Sequence, residues 1–303
     1  MYFLNEVERK KLLKGYLPKS REQEVAEELR GWNWHQPPLE PIYEVKLPLY
    51  QIAGKYCHNG RDVYLNRVEH IKAAPNLSMQ YGSLFHELIV LILVKTKKMI
   101  YNYGVNKIGE LLSALSEVRH EFVKRSEILV EQIPDITDQV EQLFGYEYDR
   151  ISARIREILS RQPYIGEDSL VSQVVPFVLE QKLDGSFLGL SSNLSSDAFV
   201  FSEPMVVDLK FGPRRDFHRL TTTGYALVME AIYEYPINIG CIVYSEFKNG
   251  RLYVEKDFHI INDELRQWFI EERDEKMRMV YDELDPGKGD SCYETCPYYA
   301  HCN

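Results

Sequence analysis

Between residues 106 and 161 the apolar positions fall three and four apart. Ile108, Leu111, Leu115, Val118 and Phe122 make one stripe; Ile136, Val140, Leu143, Ile151, Ile155 and Ile158 make the next. Such stripes predict two or more long amphipathic helices. Pro134 interrupts them, because proline removes a backbone donor and clashes with the preceding turn. Upstream, Gly82-Ser83-Leu84-Phe85-His86 leads into an apolar run at residues 88–94. That run is apolar on nearly all sides and predicts a buried helix, with Ser83 as its N-cap and His86 in its first turn.

Downstream the period changes. Residues 172–180 and 187–190 open a β region, and residues 195–210 read as two short strands joined at Ser202-Glu203-Pro204. A helix over about 218–235 follows, then a β-branched strand over 237–244. Asn249-Gly250 supplies the positive φ angles of a hairpin turn, and residues 252–258 return as a strand. A last helix over 264–284 starts at Asp263. Residues 1–50 look helical until the prolines at 37, 38 and 41, with Trp32 and Trp34 as packing anchors; residues 61–71 are a strand or a short helix. Helices packed on a sheet make this α/β or α+β. The 303 residues are read as a single domain over 1–303, with a helical insertion at about 101–165.

The second strand of the 195–210 pair carries the chemistry. Its apolar run Met205-Val206-Val207 stops abruptly at Asp208-Leu209-Lys210. Strand residues two apart share a face, so Asp208 and Lys210 point the same way. Leaving a carboxylate and an ammonium in a hydrophobic strand is costly unless they have a partner or a task. Asp197, one hairpin away, offers a second carboxylate. Two carboxylates bind a hard divalent cation, and a lysine beside them can orient or activate water for metal-assisted phosphodiester hydrolysis. An Asp-x-Lys triplet is common by chance, and an Asp–Lys pair on a sheet edge is the plainer alternative. His86 is likewise a core histidine unless the fold brings it to the carboxylates.

Composition narrows the setting. A net charge of −10 leaves no global basic field to attract nucleic acid. Any DNA-binding surface must be local, and Arg214, Arg215 and Arg219, just beyond Lys210, are the candidates. No apolar run reaches membrane-spanning length, and the N-terminal MYFLNEVERKKLLKG has no signal core; the expectation is a cytoplasmic protein without membrane contact. Of five cysteines, Cys292, Cys296 and Cys302 crowd the C-terminal tail, Cys57 lies in a polar loop, and Cys241 sits in an apolar strand as a core residue. In a reducing compartment such a tail signals metal or cluster ligation rather than disulfides. Four thiolates suit a [4Fe–4S] cluster or a zinc ion.

In this order the pieces resemble a known family: the RecB-type PD-(D/E)xK nucleases with a C-terminal iron–sulfur cysteine cluster. Within them the chain is most similar to the archaeal subtype I-A form of the CRISPR-associated adaptation nuclease. The matching residues are Gly82 to His86 (G-x-x-x-H), Asp197, Asp208-Leu209-Lys210 (D/E-x-K), and Cys57 with Cys292, Cys296 and Cys302. The resemblance implies a restriction-endonuclease-like core with a central mixed sheet flanked by helices. The tail over 285–303 would be stapled to Cys57 by a [4Fe–4S] cluster. It further implies that His86, Asp197, Asp208 and the Leu209 carbonyl hold Mn²⁺ or Mg²⁺, and that Lys210 positions or activates the attacking water. Tyr225 matches the tyrosine of the family's Q-x-x-x-Y motif as a catalytic residue. Thr221 replaces the glutamine, and three residues rather than two separate Cys292 from Cys296.

The function so implied is a divalent-metal-dependent nuclease acting on single-stranded DNA ends or overhangs in CRISPR adaptation, part of antiviral defence, with the integrase subunits as partners. The alternative is a catalytically weak or inactive iron–sulfur DNA-binding subunit of the same complex. The sequence leaves a homo-oligomer open.

Overall fold

The computed structural model describes residues 1–289 and 292–302. Short helices α1 (Glu6–Lys11), α2 (Leu17–Glu22), α3 (Leu49–Ala53) and α4 (Arg61–Arg67) fill the N-terminal part. Of the ambiguous 61–71 segment, Arg61–Arg67 is thus a short helix. Three long helices follow, α5 (Leu77–Tyr103), α6 (Ile108–Ser126) and α7 (Ile136–Arg161), and then the shorter α8 (Glu167–Val174). The sheet strands are β1 (Val178–Leu183), β2 (Leu194–Val200), β3 (Met205–Phe211), β4 (Ile239–Lys248) and β5 (Arg251–Ile260). Helix α9 (Arg219–Tyr233) crosses from β3 to β4, and α10 (Asp263–Tyr281) and α11 (Tyr299–Cys302) close the chain.

Strand order is β1-β2-β3-β4-β5, with β3 and β4 parallel and the other neighbours antiparallel. A mixed sheet follows because hairpins join the antiparallel neighbours while α9 makes the crossover that parallel pairing needs. The fold is therefore α/β. Alternation splits its core in two. Met205, Val207 and Leu209 of β3 face the layer of α5, α6 and α7. Val206 faces the layer holding α3, α9 and α10, and by the same alternation Asp208 and Lys210 follow it on that face.

Several expected boundaries move. Asn76, not Ser83, caps α5: its side chain accepts from the Met79 N–H at 2.9 Å. His86 therefore lies well inside the helix and not in its first turn. Residues 172–174 belong to α8, and Ser186–Leu188 is a 3-10 turn rather than strand. Asn262 caps α10 in place of Asp263. In α5 and α10 an asparagine side chain reached the free helix N–H groups first. The hairpin at Asn249-Gly250 is as expected, with φ of 51° and 70°.

Helix α5 is long and apolar enough by composition to cross a membrane; here Phe85, Leu88, Ile89, Ile92 and Leu93 are core residues of the protein. The tryptophan segment is anchored through its neighbour Gly31, whose N–H donates to buried Glu230 at 2.9 Å. A Cβ at Gly31 would stand 2.0 Å from the Leu227 carbonyl oxygen of α9, so only glycine permits that approach.

Candidate metal centre

The site forms where the sheet comes apart. The β2–β3 ladder pairs Ala198 with Val207 as its innermost step. At the next position the Asp197 side chain replaces the main chain as partner: its Oδ2 accepts from the Leu209 N–H at 2.8 Å. On the other side of β2, the β1 register pairs Leu179 with Ala198 and Gln181 with Ser196, and leaves Glu180 and Asp197 opposite each other without a ladder pair. Glu180 has a φ of 49°, a left-handed conformation that a non-glycine residue adopts at a cost of about 1–3 kcal/mol. This local strain turns the Glu180 carboxylate toward Asp197.

Helix α5 delivers His86 to the same place. Its Nε2 lies 3.3 Å from Asp197 Oδ1 and 3.5 Å from Glu180 Oε1. One ligand atom from each of His86, Glu180 and Asp197 falls within 4.8 Å of the others. Asp208 stands beside this group rather than in it, and its Oδ2 lies 2.8 Å from Lys210 Nζ. His86 Nε2 and Asp208 Oδ2 are buried, 3.3 Å from Asp197 Oδ1 and 2.8 Å from Lys210 Nζ. Three carboxylates gathered around one imidazole and one ammonium leave oxygen positions that fit a divalent cation.

The electrostatics agree. Burial pushes Asp208 up to about 6, aided by the Asp197 charge and opposed by Lys210. Burial acts in the same sense on Asp197, but its bond to His86, with Lys210 and the Leu209 N–H, holds it below the ordinary carboxylate range. His86 is pulled above its usual value: burial opposes this, and Asp197, Glu180 and Asp208 overcome it. Lys210 is likewise raised, Asp208 and Asp197 outweighing burial. It therefore stays an ammonium at neutral pH, which suits it to hold an anionic group rather than to remove a proton.

Other expected residues take different places. The Tyr225 hydroxyl donates to the Ser195 carbonyl, so it braces β2 two residues before Asp197. Arg219 makes a two-pronged pair with Asp257 at 2.8 and 3.0 Å, and Arg214 joins it at 3.0 Å. Those guanidiniums are engaged within the protein; Arg215 is exposed. Glu180 was not among the expected ligands. Its only sequence signal is a carboxylate closing an apolar run, which many strands show.

Cys57, Cys292, Cys296 and Cys302 line one cavity. The tail docks on the Cys57 loop through Arg61–Asp285, a two-pronged pair at 2.9 Å, and through Asn59 to the Gly287 carbonyl at 2.7 Å. Burial raises the Cys57 and Cys296 thiols, so a bound cation would be needed to hold them as thiolates. Four thiols converging on one cavity are a donor set for a metal or cluster. Of the expected region 285–303, residues 290, 291 and 303 lie outside the described residues. Cys241 is fully buried in β4, a core residue as expected.

A family model described as CRISPR-associated exonuclease Csa1 matches residues 1–303. The chain is 33% identical to the CRISPR-associated exonuclease Csa1 of Saccharolobus solfataricus, covering 95% of this chain and 94% of that one. It is 28% identical to the protein of the same name from Thermoproteus tenax, covering 92% of each. No solved structure matches.

Proposed function

The chain belongs to the CRISPR-associated exonuclease Csa1 family, and from that premise we propose that it is a divalent-metal-dependent DNA nuclease. Its substrate is a single-stranded end or overhang, trimmed to prepare spacer DNA for CRISPR adaptation, with the integrase as partner. The observation that carries the reading is the convergence of His86, Glu180 and Asp197 within 4.8 Å beside the buried Asp208–Lys210 pair. The relatives' name, exonuclease, supports hydrolysis from a strand end.

His86, Asp197, Asp208 and the Leu209 carbonyl, with Glu180 added, would hold Mn²⁺ or Mg²⁺. The imidazole favours Mn²⁺ at least as well, since Mg²⁺ prefers oxygen donors. Such a cation supplies a Lewis acid for the phosphoryl oxygen and a more acidic water. Lys210, kept cationic, orients the phosphate and the water and stabilises the charge that develops in the transition state. Tyr225 keeps β2, and with it Asp197, in place. Cys57, Cys292, Cys296 and Cys302 would hold a [4Fe–4S] cluster whose task is structural, closing the tail onto the N-terminal loop.

Cleavage of a labelled single strand with Mn²⁺ tests the reading. Asp208→Ala should abolish cleavage and leave the folded far-UV spectrum unchanged. Lys210→Ala should keep metal affinity and lose roughly 100-fold or more in rate, as when a transition-state donor is removed. Equal rates for wild type and both variants would refute the site.

A further inference from the structure

Tyr56 is an aromatic residue with 66% of its surface exposed, yet its hydroxyl end is fixed. The Tyr244 hydroxyl donates to the Arg215 carbonyl at 3.2 Å. Its oxygen must therefore accept from His218 Nδ1, also at 3.2 Å. His218 Nε2 is left as an acceptor, and the Tyr56 hydroxyl, 2.9 Å away, donates to it. The ring edge rests on Phe217 at 5.0 Å and 86°. This chain of bonds ends beside the catalytic lysine, since Tyr244 is the in-register neighbour of Lys210 across β3 and β4.

A surface tyrosine normally loses rotamer freedom when it is covered by a ligand. Tyr56 has been immobilised in advance while its ring is left open to solvent. Sites for single strands pair such aromatic faces with basic side chains, and the exposed Arg215 stands at the far end of the same chain of bonds. On a body of net charge −10, local contacts of this kind have to supply the affinity. We propose that the open ring of Tyr56 is a stacking platform for an unpaired nucleobase next to the phosphate that is cut. The proposal rests on the nuclease reading and deepens it by naming a base-binding position.

The test uses the full-length protein and a fluorescein-labelled oligothymidine, first without divalent metal so that no strand is cut. Tyr56→Ala should weaken single-strand binding about tenfold, within what one stacked base contributes. Tyr56→Trp should restore it to within about threefold, and binding to a duplex of the same length should change less than twofold. With Mn²⁺, Tyr56→Ala should raise KM by the same factor and leave kcat within about threefold. Unchanged binding in Tyr56→Ala, or failure of Tyr56→Trp to restore it with the bound-metal content intact, would overturn the platform. Tyr56-dependent binding without cleavage by the wild type would keep the platform and remove the nuclease reading. Cleavage with kinetics indifferent to Tyr56 would do the reverse.

Discussion

Glu180 is the residue whose role is most sharply testable. It combines a left-handed backbone at φ 49° with a carboxylate 3.5 Å from His86, and Ser195 donates to its other oxygen at 2.9 Å. If it ligates the cation, Glu180→Gln keeps the size and the Ser195 bond but removes the charge. The Mn²⁺ concentration for half-maximal cleavage should then rise about tenfold or more, with most of the rate recovered at saturating metal. A metal titration of cleavage checks this; an unmoved midpoint would confine the ligands to His86, Asp197, Asp208 and the Leu209 carbonyl. Backbone strain at this position would then need a different cause.

The packing of elements makes stability depend on acid. His259 of β5 is buried against α9, with Nε2 2.8 Å from Thr222 Oγ1 and Nδ1 3.2 Å from the Asp257 carbonyl. The seam is tight: a Cβ on Gly240 of β4 would stand 2.3 Å from His259 Nε2. Burial depresses His259 from 6.5 to about 4. Below pH 6.5 the unfolded chain therefore takes up a proton that the folded protein refuses. Stability is fully present above about 6.5 and falls as pH drops toward 4, by about 3 kcal/mol from this group alone. Urea melts at pH 7 and pH 4.5 should show His259→Gln losing less over that interval than wild type. Equal losses would move the acid sensitivity to another group.

At the scale of the whole molecule, the tail and the N-terminal loop are held together over more than two hundred residues of sequence by Arg61–Asp285, Asn59–Gly287 and the four-cysteine cavity. A metal or cluster there would contribute to folding, because the site does not exist in the unfolded chain. Cys57→Ala should lose the bound metal and lower the melting temperature together. Iron, sulfide and zinc analysis with a thermal melt reads both. Full iron occupancy in Cys57→Ala would place the fourth ligand elsewhere, and zinc without iron would replace the cluster by a single ion.

The sequence by itself determined the long helices, the central hairpin, the crossover helix and the acidic strand end, because periodicity and abrupt changes of polarity are local properties. It also singled out His86, Asp197, Asp208 and Lys210 as a set worth bringing together. Only the tertiary structure decided what depends on strands meeting. The ladder opens at Asp197, Glu180 turns in from a neighbouring strand, and Arg214 and Arg219 are taken up by Asp257 from β5. It was also tertiary contact that pinned Tyr56 to His218 across 162 positions. No spacing along a chain encodes such a pairing. It follows from the register of one strand on the next and the docking of a loop on a helix, both set by the burial of residues elsewhere.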